Sequence, residues 1–396
     1  MKQSSSRRGF LAAPLAIAAS TQLPAAEPKL AYRTLGKTGL KVTSLSFGCM
    51  TTTDASVIER AADTGIVHFD TARAYQNGNN ERMVGAALKS RRGKVIISSK
   101  SGGKTAQAAL ADLDTSLREL GTDYLDIWYL HMKNDPAEVT EELLEAQRAA
   151  KKAGKIRFAG VSTHFNMDRM LPHLAKLGQT DVVLTTYNFA MRSVAAGANA
   201  DTTAARTDMT AAIREARQSG LGIVVMKTLA GGTTRVQRGD RLYGANPQAL
   251  SQRLGQPGVP LAAIKWALRN QSVDTAIVCM TDHDQLQENL HAMAEPYTPR
   301  DEALLAEHLA RISPIYCRMC GSCNGVCANG VPVPDVLRIL TYAEGYGQFA
   351  LARERYLELP EPARAIRCTD CTTCSVDCPN GVQIQQRVSR AQELLA

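Results

Sequence analysis

Between Val42 and Met280 the chain alternates eight short apolar segments with longer amphipathic ones, and this alternation restricts the fold more than any other feature. The short segments are Val42 to Phe47, Val67 to Asp70, Val95 to Ser99, Ile127 to His131, Arg157 to Ser162, Val182 to Tyr187, Ile223 to Met226 and Thr275 to Cys279. They are rich in Val, Ile and Leu on consecutive positions, the pattern of strands buried on both faces of a parallel sheet. Between them lie helical spacings such as Ala106 to Leu120 and Glu138 to Ala153, the latter stopped by Gly154. Eight strands, each followed by a helix, predict an α/β fold, a (β/α)8 TIM barrel. Arg235 to Pro260, polar and rich in Gly and Pro, reads as the loop after strand seven on the active-site face; its Arg238-Gly239-Asp240 triplet reads as a solvated turn. A further helix from Pro299 to Arg311 leads out of the barrel.

Beyond that helix the chain repeats itself. Cys317, Cys320, Cys323 and Cys327 are spaced Cys-x2-Cys-x2-Cys-x3-Cys, and Cys368, Cys371, Cys374 and Cys378 reproduce the spacing, with Cys-Ala-Asn-Gly-Val echoed by Cys-Pro-Asn-Gly-Val. Three thiolates two residues apart and a fourth after three more turn successive sulfurs inward around an iron-sulfur cube. Zinc sites or disulfides are the alternatives, but zinc usually takes two separated Cys-x2-Cys pairs instead of a triple. The segment resembles bacterial ferredoxins, in which the fourth cysteine of each run serves the other run's cluster. That resemblance implies two 4Fe-4S clusters, one on Cys317, Cys320, Cys323 and Cys378, the other on Cys368, Cys371, Cys374 and Cys327. Ala328 stands where the first copy would carry proline.

The N-terminus reads Ser-Ser-Arg-Arg-Gly-Phe-Leu, then a modest apolar stretch from Leu11 to Ala19 and a small-residue segment to Ala26. Arg7 and Arg8 followed by Phe10 and Leu11 resemble a twin-arginine export signal, which implies a periplasmic or exported protein. Clusters have to be assembled in a reducing compartment, and the twin-arginine route carries folded cargo, so the two features agree. Without clusters, ten cysteines in an exported chain would point to disulfides. The resulting organisation is a signal peptide at residues 1–26, a barrel at 30–298 and a small α-helical ferredoxin-like domain at 299–396.

The chain's formal charge of +8 includes Lys2, Arg7 and Arg8 of the leader. The basic runs Ser90 to Lys94 and Arg148 to Arg157 fall at helix ends, where cations complement the helix dipole, and few aromatics interleave them, so no nucleic-acid partner is expected. No apolar run reaches the ~18 residues of a membrane span, so none is expected in the mature chain.

In such barrels the reacting groups sit at the C-terminal ends of the strands. Strand two ends at Asp70 with Tyr75 just beyond, strand three at Lys100 and strand four at His131, so four polar groups are expected at one rim. Gly65-Ile-Val-His-Phe-Asp70-Thr-Ala-Arg-Ala-Tyr75, then Asn80-Glu81-x3-Gly85-x2-Leu88, Ser99-Lys100 and Tyr124-Leu-Asp-x3-Leu-His131 resemble the aldo/keto reductases over Tyr32 to Ala294. The resemblance implies carbonyl reduction or its reverse on a small-molecule carbonyl or alcohol. Tyr75 would be the acid, Lys100 would lower its pKa from near 10 by favouring phenolate, Asp70 would hold the Lys100 charge, and His131 would orient the substrate oxygen.

The cofactor side departs from the family pattern. Ser162 is followed by Thr163 where Ser-Asn is usual, Leu184 stands in place of Gln, and Met226 replaces the tyrosine that stacks on nicotinamide. Lys227 is a candidate phosphate contact, and Glu288 and Asn289 match the adenine-binding pair. Cys279 and Gln285 occupy the positions that usually grip a 2′-phosphate, so NADP is not preferred over NAD. Gly103-Lys104-Thr105 lacks the first glycine of a phosphate-binding loop, Cys49 and Cys279 read as core thiols, and His68, His164 and His283 form no zinc triad. The favoured reading is an exported oxidoreductase using NAD(P) and exchanging electrons with a redox partner through its clusters. Its rivals are a barrel that works on cluster electrons without nicotinamide, through a flavin for example, and a non-catalytic electron carrier.

Overall fold

Eight parallel strands close into a barrel in which each pairs with its neighbour in chain order and the last pairs with the first. The structure, a computed structural model, describes residues 29–191, 208–231, 257–313 and 315–396. The leader and most of the loop after the seventh barrel strand lie outside these residues. The barrel strands are β3 (Leu45–Gly48), β4 (His68–Asp70), β5 (Ile96–Ser101), β6 (Leu125–Leu130), β7 (Ile156–Thr163), β8 (Val182–Thr186), β9 (Gly222–Met226) and β10 (Thr275–Cys279). The last coincides with the sequence expectation and most others lie within two residues of it.

The first strand differs. Val42 to Phe47 reads as one apolar run, but the chain divides it: β2 (Lys41–Thr43) pairs antiparallel with β1 (Tyr32–Thr34), and β3 begins only after Ser44, whose amide bonds the Ala31 carbonyl at 2.8 Å. The hairpin has its own task. Its Leu35, Leu40 and Val42 pack with Ile96, Ile127, Tyr129, Val182, Leu184, Val224 and Ile277 as the apolar filling of the barrel. The segment after β6 also divides, because it carries two N-caps. Asp135 and Glu138 close a capping box on the short turn Pro136–Glu138, and Thr140 then caps a separate helix, Glu141–Lys152.

Outer helices cover the strands: α1 (Ala55–Asp63), α2 (Asn79–Leu88), α3 (Ala106–Leu120), α4 (Glu141–Lys152), α5 (Met167–Leu177), α6 (Thr210–Gln218), α7 (Val259–Leu268) and α8 (His283–Ala294). Helix α3 shows the local logic. Thr105 accepts the Ala108 amide at its start, Gly121 closes its end at φ 63°, and Ala109, Leu113, Ser116 and Leu120 form one buried stripe at helical spacing. A Cβ on Gly85 would overlap the Leu120 carbonyl, so α2 and α3 cross in contact at that position.

Helix α9 (Pro299–Ile312), started by a Thr298/Asp301 capping box, packs on α7 and places Leu305, Ile312, Tyr316 and Met319 in the barrel's outer core. The chain then forms a second core from α10 (Val333–Glu344), α11 (Phe349–Leu357) and α13 (Ile384–Leu395), centred on Leu337, Leu340, Tyr356 and Val388, with the short α12 (Glu361–Ala365) outside it. Six of the repeat cysteines pack against it, as does Met50 from the loop after β3. No helix among the described residues is long and apolar enough to cross a membrane. Gly85→Ala is expected to destabilise the fold by about 1–3 kcal/mol through forced separation of α2 and α3, measured by denaturant unfolding.

Candidate active site

Register brings the first two polar groups together. Asp70 pairs with Ser98 across the β4–β5 ladder, and Lys100, two residues beyond Ser98, returns to the same face. The Lys100 ammonium bonds the Asp70 carboxylate and donates to the Thr71 carbonyl at 2.6 Å, while Ser98 Oγ donates to the other Asp70 oxygen at 2.7 Å. Both charged side chains are buried, at 1% and 5% exposure, so the pair stands on mutual compensation and not on solvent.

Tyr75 opens a short turn, Tyr75–Gly78, in which Gln76 and Asn77 take left-handed conformations at φ 50° and 52°. The Gln76 amide holds the turn by donating to the Thr52 carbonyl at 2.9 Å. The Lys100 ammonium lies 4.8 Å from the Tyr75 ring centroid, and the His131 ring meets Tyr75 edge-on with centroids 6.1 Å apart. Asp70, Tyr75, Lys100 and His131 therefore share one rim, and Asp70, Tyr75 and His131 line a cavity of about 1130 Å³.

The electrostatics differ from the sequence expectation at one point. Burial, followed by the Asp70, Tyr342 and Cys279 groups, pushes the Tyr75 phenol well above 10, with Arg355 opposing. The net direction is therefore opposite to the lowering expected from Lys100. The phenol is thus held protonated. Burial first, and then Lys100, Arg355, Arg338 and Lys133, pulls His131 well below 6.5, so its imidazole is neutral and able to donate a hydrogen bond.

Beneath this rim a polar chain runs through the barrel interior. Ser98 Oγ lies 3.0 Å from His68 Nε2, His68 Nδ1 lies 3.1 Å from Ser46 Oγ, and Ser46 Oγ lies 2.6 Å from Thr275 Oγ1, which donates to the Thr43 carbonyl. Burial pulls His68 down to about 4. The Asn80-Glu81 motif acts in support. Asn80 accepts from Thr71 at 2.6 Å and donates to the Cys49 carbonyl at 2.7 Å, while buried Glu81 takes Arg73 and the Ser99 hydroxyl.

The four cofactor candidates divide. Lys227, Glu288 and Asn289 line the cavity. Ser162 does not: its Oγ accepts the Met132 amide at 2.8 Å, and the side chain is sealed into the rim. Asn134 occupies the neighbouring amides, accepting from His164 N at 2.8 Å and passing its own carbonyl to Asn166 Nδ2 at 3.0 Å. Sequence reading missed Arg338, Tyr342, Tyr346 and Arg355, which close the cavity from the C-terminal unit. A signal existed, since positions 338, 342 and 346 recur every four residues on or just past α10.

Among the cysteines, burial and then Cys323, Cys320 and Cys378 push the Cys317 thiol up; burial, Cys320 and Cys378 push Cys323 up to about 12. Burial and then Cys327, Cys371 and Cys374 push Cys368 up to about 11. Amides cross between the runs: Asn380 Nδ2 lies 3.6 Å from Cys320 Sγ, and Asn329 Nδ2 lies 3.3 Å from Cys371 Sγ. Among the described residues, no group of three or more His, Cys, Asp or Glu side chains is arranged so that it could hold a metal ion. Cys49 and Cys279 are also free thiols.

The profile of the aldo/keto reductase family matches residues 45–310. The chain is 25% identical over 338 residues to L-glyceraldehyde 3-phosphate reductase of Escherichia coli K12, across 71% of this chain and 93% of that one. It is 25% identical over 323 residues to L-galactose dehydrogenase of Arabidopsis thaliana, across 72% and 96%. An aldo-keto reductase from Bacillus halodurans, solved in its holo form, superposes with a TM-score of 0.56 at 24% identity, over 71% of this chain and 96% of that one, which speaks for the fold alone.

Two outcomes follow from the buried charges. Lys100→Met is expected to cost about 3–5 kcal/mol, because it strands the Asp70 carboxylate, and an added Asp70→Asn is expected to recover part of that loss in urea unfolding. His68 and His308 titrate at about 4 in the fold and 6.5 in the open chain, mainly through burial. The unfolded chain therefore binds protons that the native state refuses, and stability should fall as pH drops from 6.5 towards 4. His68→Phe should flatten that slope in a denaturation series.

Proposed function

The chain belongs to the aldo/keto reductase family, and from that membership we propose how its oxidoreductase activity is carried out. Tyr75 exchanges the proton at the oxygen of a small-molecule carbonyl or alcohol, and two 4Fe-4S clusters in the C-terminal unit pass electrons to or from a redox partner. The observation that carries the reading is the convergence of Asp70, Tyr75, Lys100 and His131 at the mouth of one cavity.

Carbonyl reduction leaves an oxygen anion that needs a proton at once. The Tyr75 phenol is held neutral by burial and is therefore ready to donate. An anion formed beside it meets the Lys100 ammonium across the ring and a neutral His131 that can donate without adding charge. Asp70 keeps the ammonium in place, and Ser98 keeps Asp70 in place. In the reverse direction the same groups receive the alcohol proton.

Aldo/keto reductases typically use NAD(P), which supplies hydride when bound. Glu288 and Asn289 suit the adenine end. A second reading, in which cluster electrons serve the barrel without nicotinamide, is favoured by Ser162, whose hydroxyl is already spent inside the rim. The first cysteine run also crowds that rim. A Cβ on Gly321 would overlap the Asn166 side chain, and the Asn188 amide bonds Tyr316 Oη at 3.0 Å, one residue before Cys317.

The cluster assignment is supported by the donor set. Eight thiols fall into two groups of four whose charges are felt within each group, with the fourth cysteine of each run beside the other trio. Crossed amides from Asn380 and Asn329 suit hydrogen bonding to thiolate sulfur. The Arg7-Arg8 leader completes the proposal as a twin-arginine signal for export to the periplasm with clusters in place.

Tyr75→Phe is expected to lower turnover by about 10²–10⁴-fold while ligand binding is kept; full turnover would remove the acid/base role. Purified protein is expected to absorb broadly near ~400 nm, to bleach with dithionite and to carry about eight irons per chain. A colourless, zinc-loaded protein would exclude the clusters. Denaturing protein from the exported fraction separates the two readings: released NAD or NADP supports the first, and flavin or no nucleotide the second.

A further inference from the structure

One wall of the cavity is assembled from two distant parts of the chain. Lys227 follows β9, Arg338 lies on α10, and both line the cavity. Both also lean on one ring, with the Lys227 ammonium 5.0 Å and the Arg338 guanidinium carbon 5.6 Å from the Tyr342 centroid. A cation removed from water is stable only when its charge and its donors are met.

Here they are met in part. Arg338 donates to Asp335 at 2.9 Å and to Tyr342 Oη at 3.0 Å, yet its Nε has no partner among the described residues although the side chain is 5% exposed. The Lys227 ammonium rests against the faces of Tyr342 and Tyr346, and among the described residues it forms no ion pair with a carboxylate. Lys227 is half-buried; burial works against its charge, but Tyr342 and Tyr346 outweigh that and hold the ammonium above its ordinary value, so it stays cationic. Buried His164, whose ring lies 6.5 Å from that of His131, likewise has an unpartnered Nδ1.

The surplus of positive charge is felt by the neighbours. Burial first, then Lys227 and Arg338, pulls His164 well below 6.5. Burial alone would push the Tyr342 phenol up, but Lys227, Arg338 and Arg355 bring it down to about 8. The carboxylates Asp282, Asp284 and Glu288, on or beside α8, also line the cavity, the first two exposed.

We propose that Lys227, Arg338 and His164 form an anion subsite for a carboxylate or phosphate carried by the substrate, which sets the substrate's carbonyl towards Tyr75 and His131. The inference rests on the reading of this cavity as the substrate site. It narrows the substrate class to anionic oxo or hydroxy compounds, such as oxo acids or phosphorylated carbonyl compounds. Because one cation comes from the barrel and the other from the C-terminal unit, the bound anion also ties the two together.

The test is calorimetric titration of the full chain, with its native metal content, using oxalate and inorganic phosphate as probes. One or both should bind to wild-type protein. Lys227→Met and Arg338→Met should each weaken binding at least about tenfold, the scale of one lost charge-assisted hydrogen bond. Lys227→Arg should retain binding, which separates loss of charge from loss of fold, and circular dichroism should show each variant folded. Excess NADH or NADPH should leave probe affinity unchanged. Competition by either nucleotide would overturn the proposal by assigning the subsite to the cofactor's pyrophosphate. Absence of binding, or equal binding in folded charge-removal variants, would also overturn it. Since no turnover is measured, failure here leaves the Tyr75→Phe result standing on its own.

Discussion

The buried pair of Lys100 and Asp70 is the interaction on which the rest of the site depends. Neither charge is tolerable alone at that depth, and neither is placed by local sequence; the parallel register of β4 and β5 sets both on one face. Burial is the largest influence on the Tyr75 phenol, the Asp70 charge adds to it, and together they keep the phenol protonated. The polar chain from Ser98 through His68 to Thr275 then gives the carboxylate an anchor within a barrel otherwise filled mainly by apolar side chains.

A second organising constraint is the placement of the C-terminal unit. Tyr316 and Met319 are built into the barrel's outer core, so the first cysteine run cannot swing away from the rim. Helix α10 is thereby carried across the cavity mouth. Arg338 and Tyr342 on α10 and Arg355 on α11 act on the reacting groups: Arg355 and Arg338 help to keep His131 neutral, and Arg355 bonds the carbonyl of Ala74 beside Tyr75. The added segment is therefore a wall of the site as well as the proposed seat of its clusters.

Much of this was legible in the chain because it is written in short-range patterns. Period and composition marked eight buried strands, a capped helix such as Ala106–Leu120 announced both of its ends, and cysteine spacing marked the repeat. The misreadings share one cause. The run from Val42 to Phe47 is uniformly apolar, and hydrophobicity carries no mark of the turn at Ser44 that gives one half to a hairpin and the other to the barrel. Ser162 has the right type and position for an amide contact, but which way its hydroxyl points depends on the Met132 amide of another loop. Lowering of the Tyr75 phenol by Lys100 follows from the pair alone, whereas burial of the ring and then the Asp70 charge push it up.

By itself the sequence determined the barrel, the identity and chain order of Asp70, Tyr75, Lys100 and His131, and the doubled cysteine pattern, since each follows from residue type and spacing along the chain. Only the tertiary structure decided the protonation of Tyr75 and His131, the withdrawal of Ser162, and the meeting of Lys227 with Arg338. The reason is physical: burial and Coulomb interactions act through space and sum over neighbours that are 30 to more than 200 residues apart in sequence, as Lys100 is from Asp70 and Arg338 is from His131.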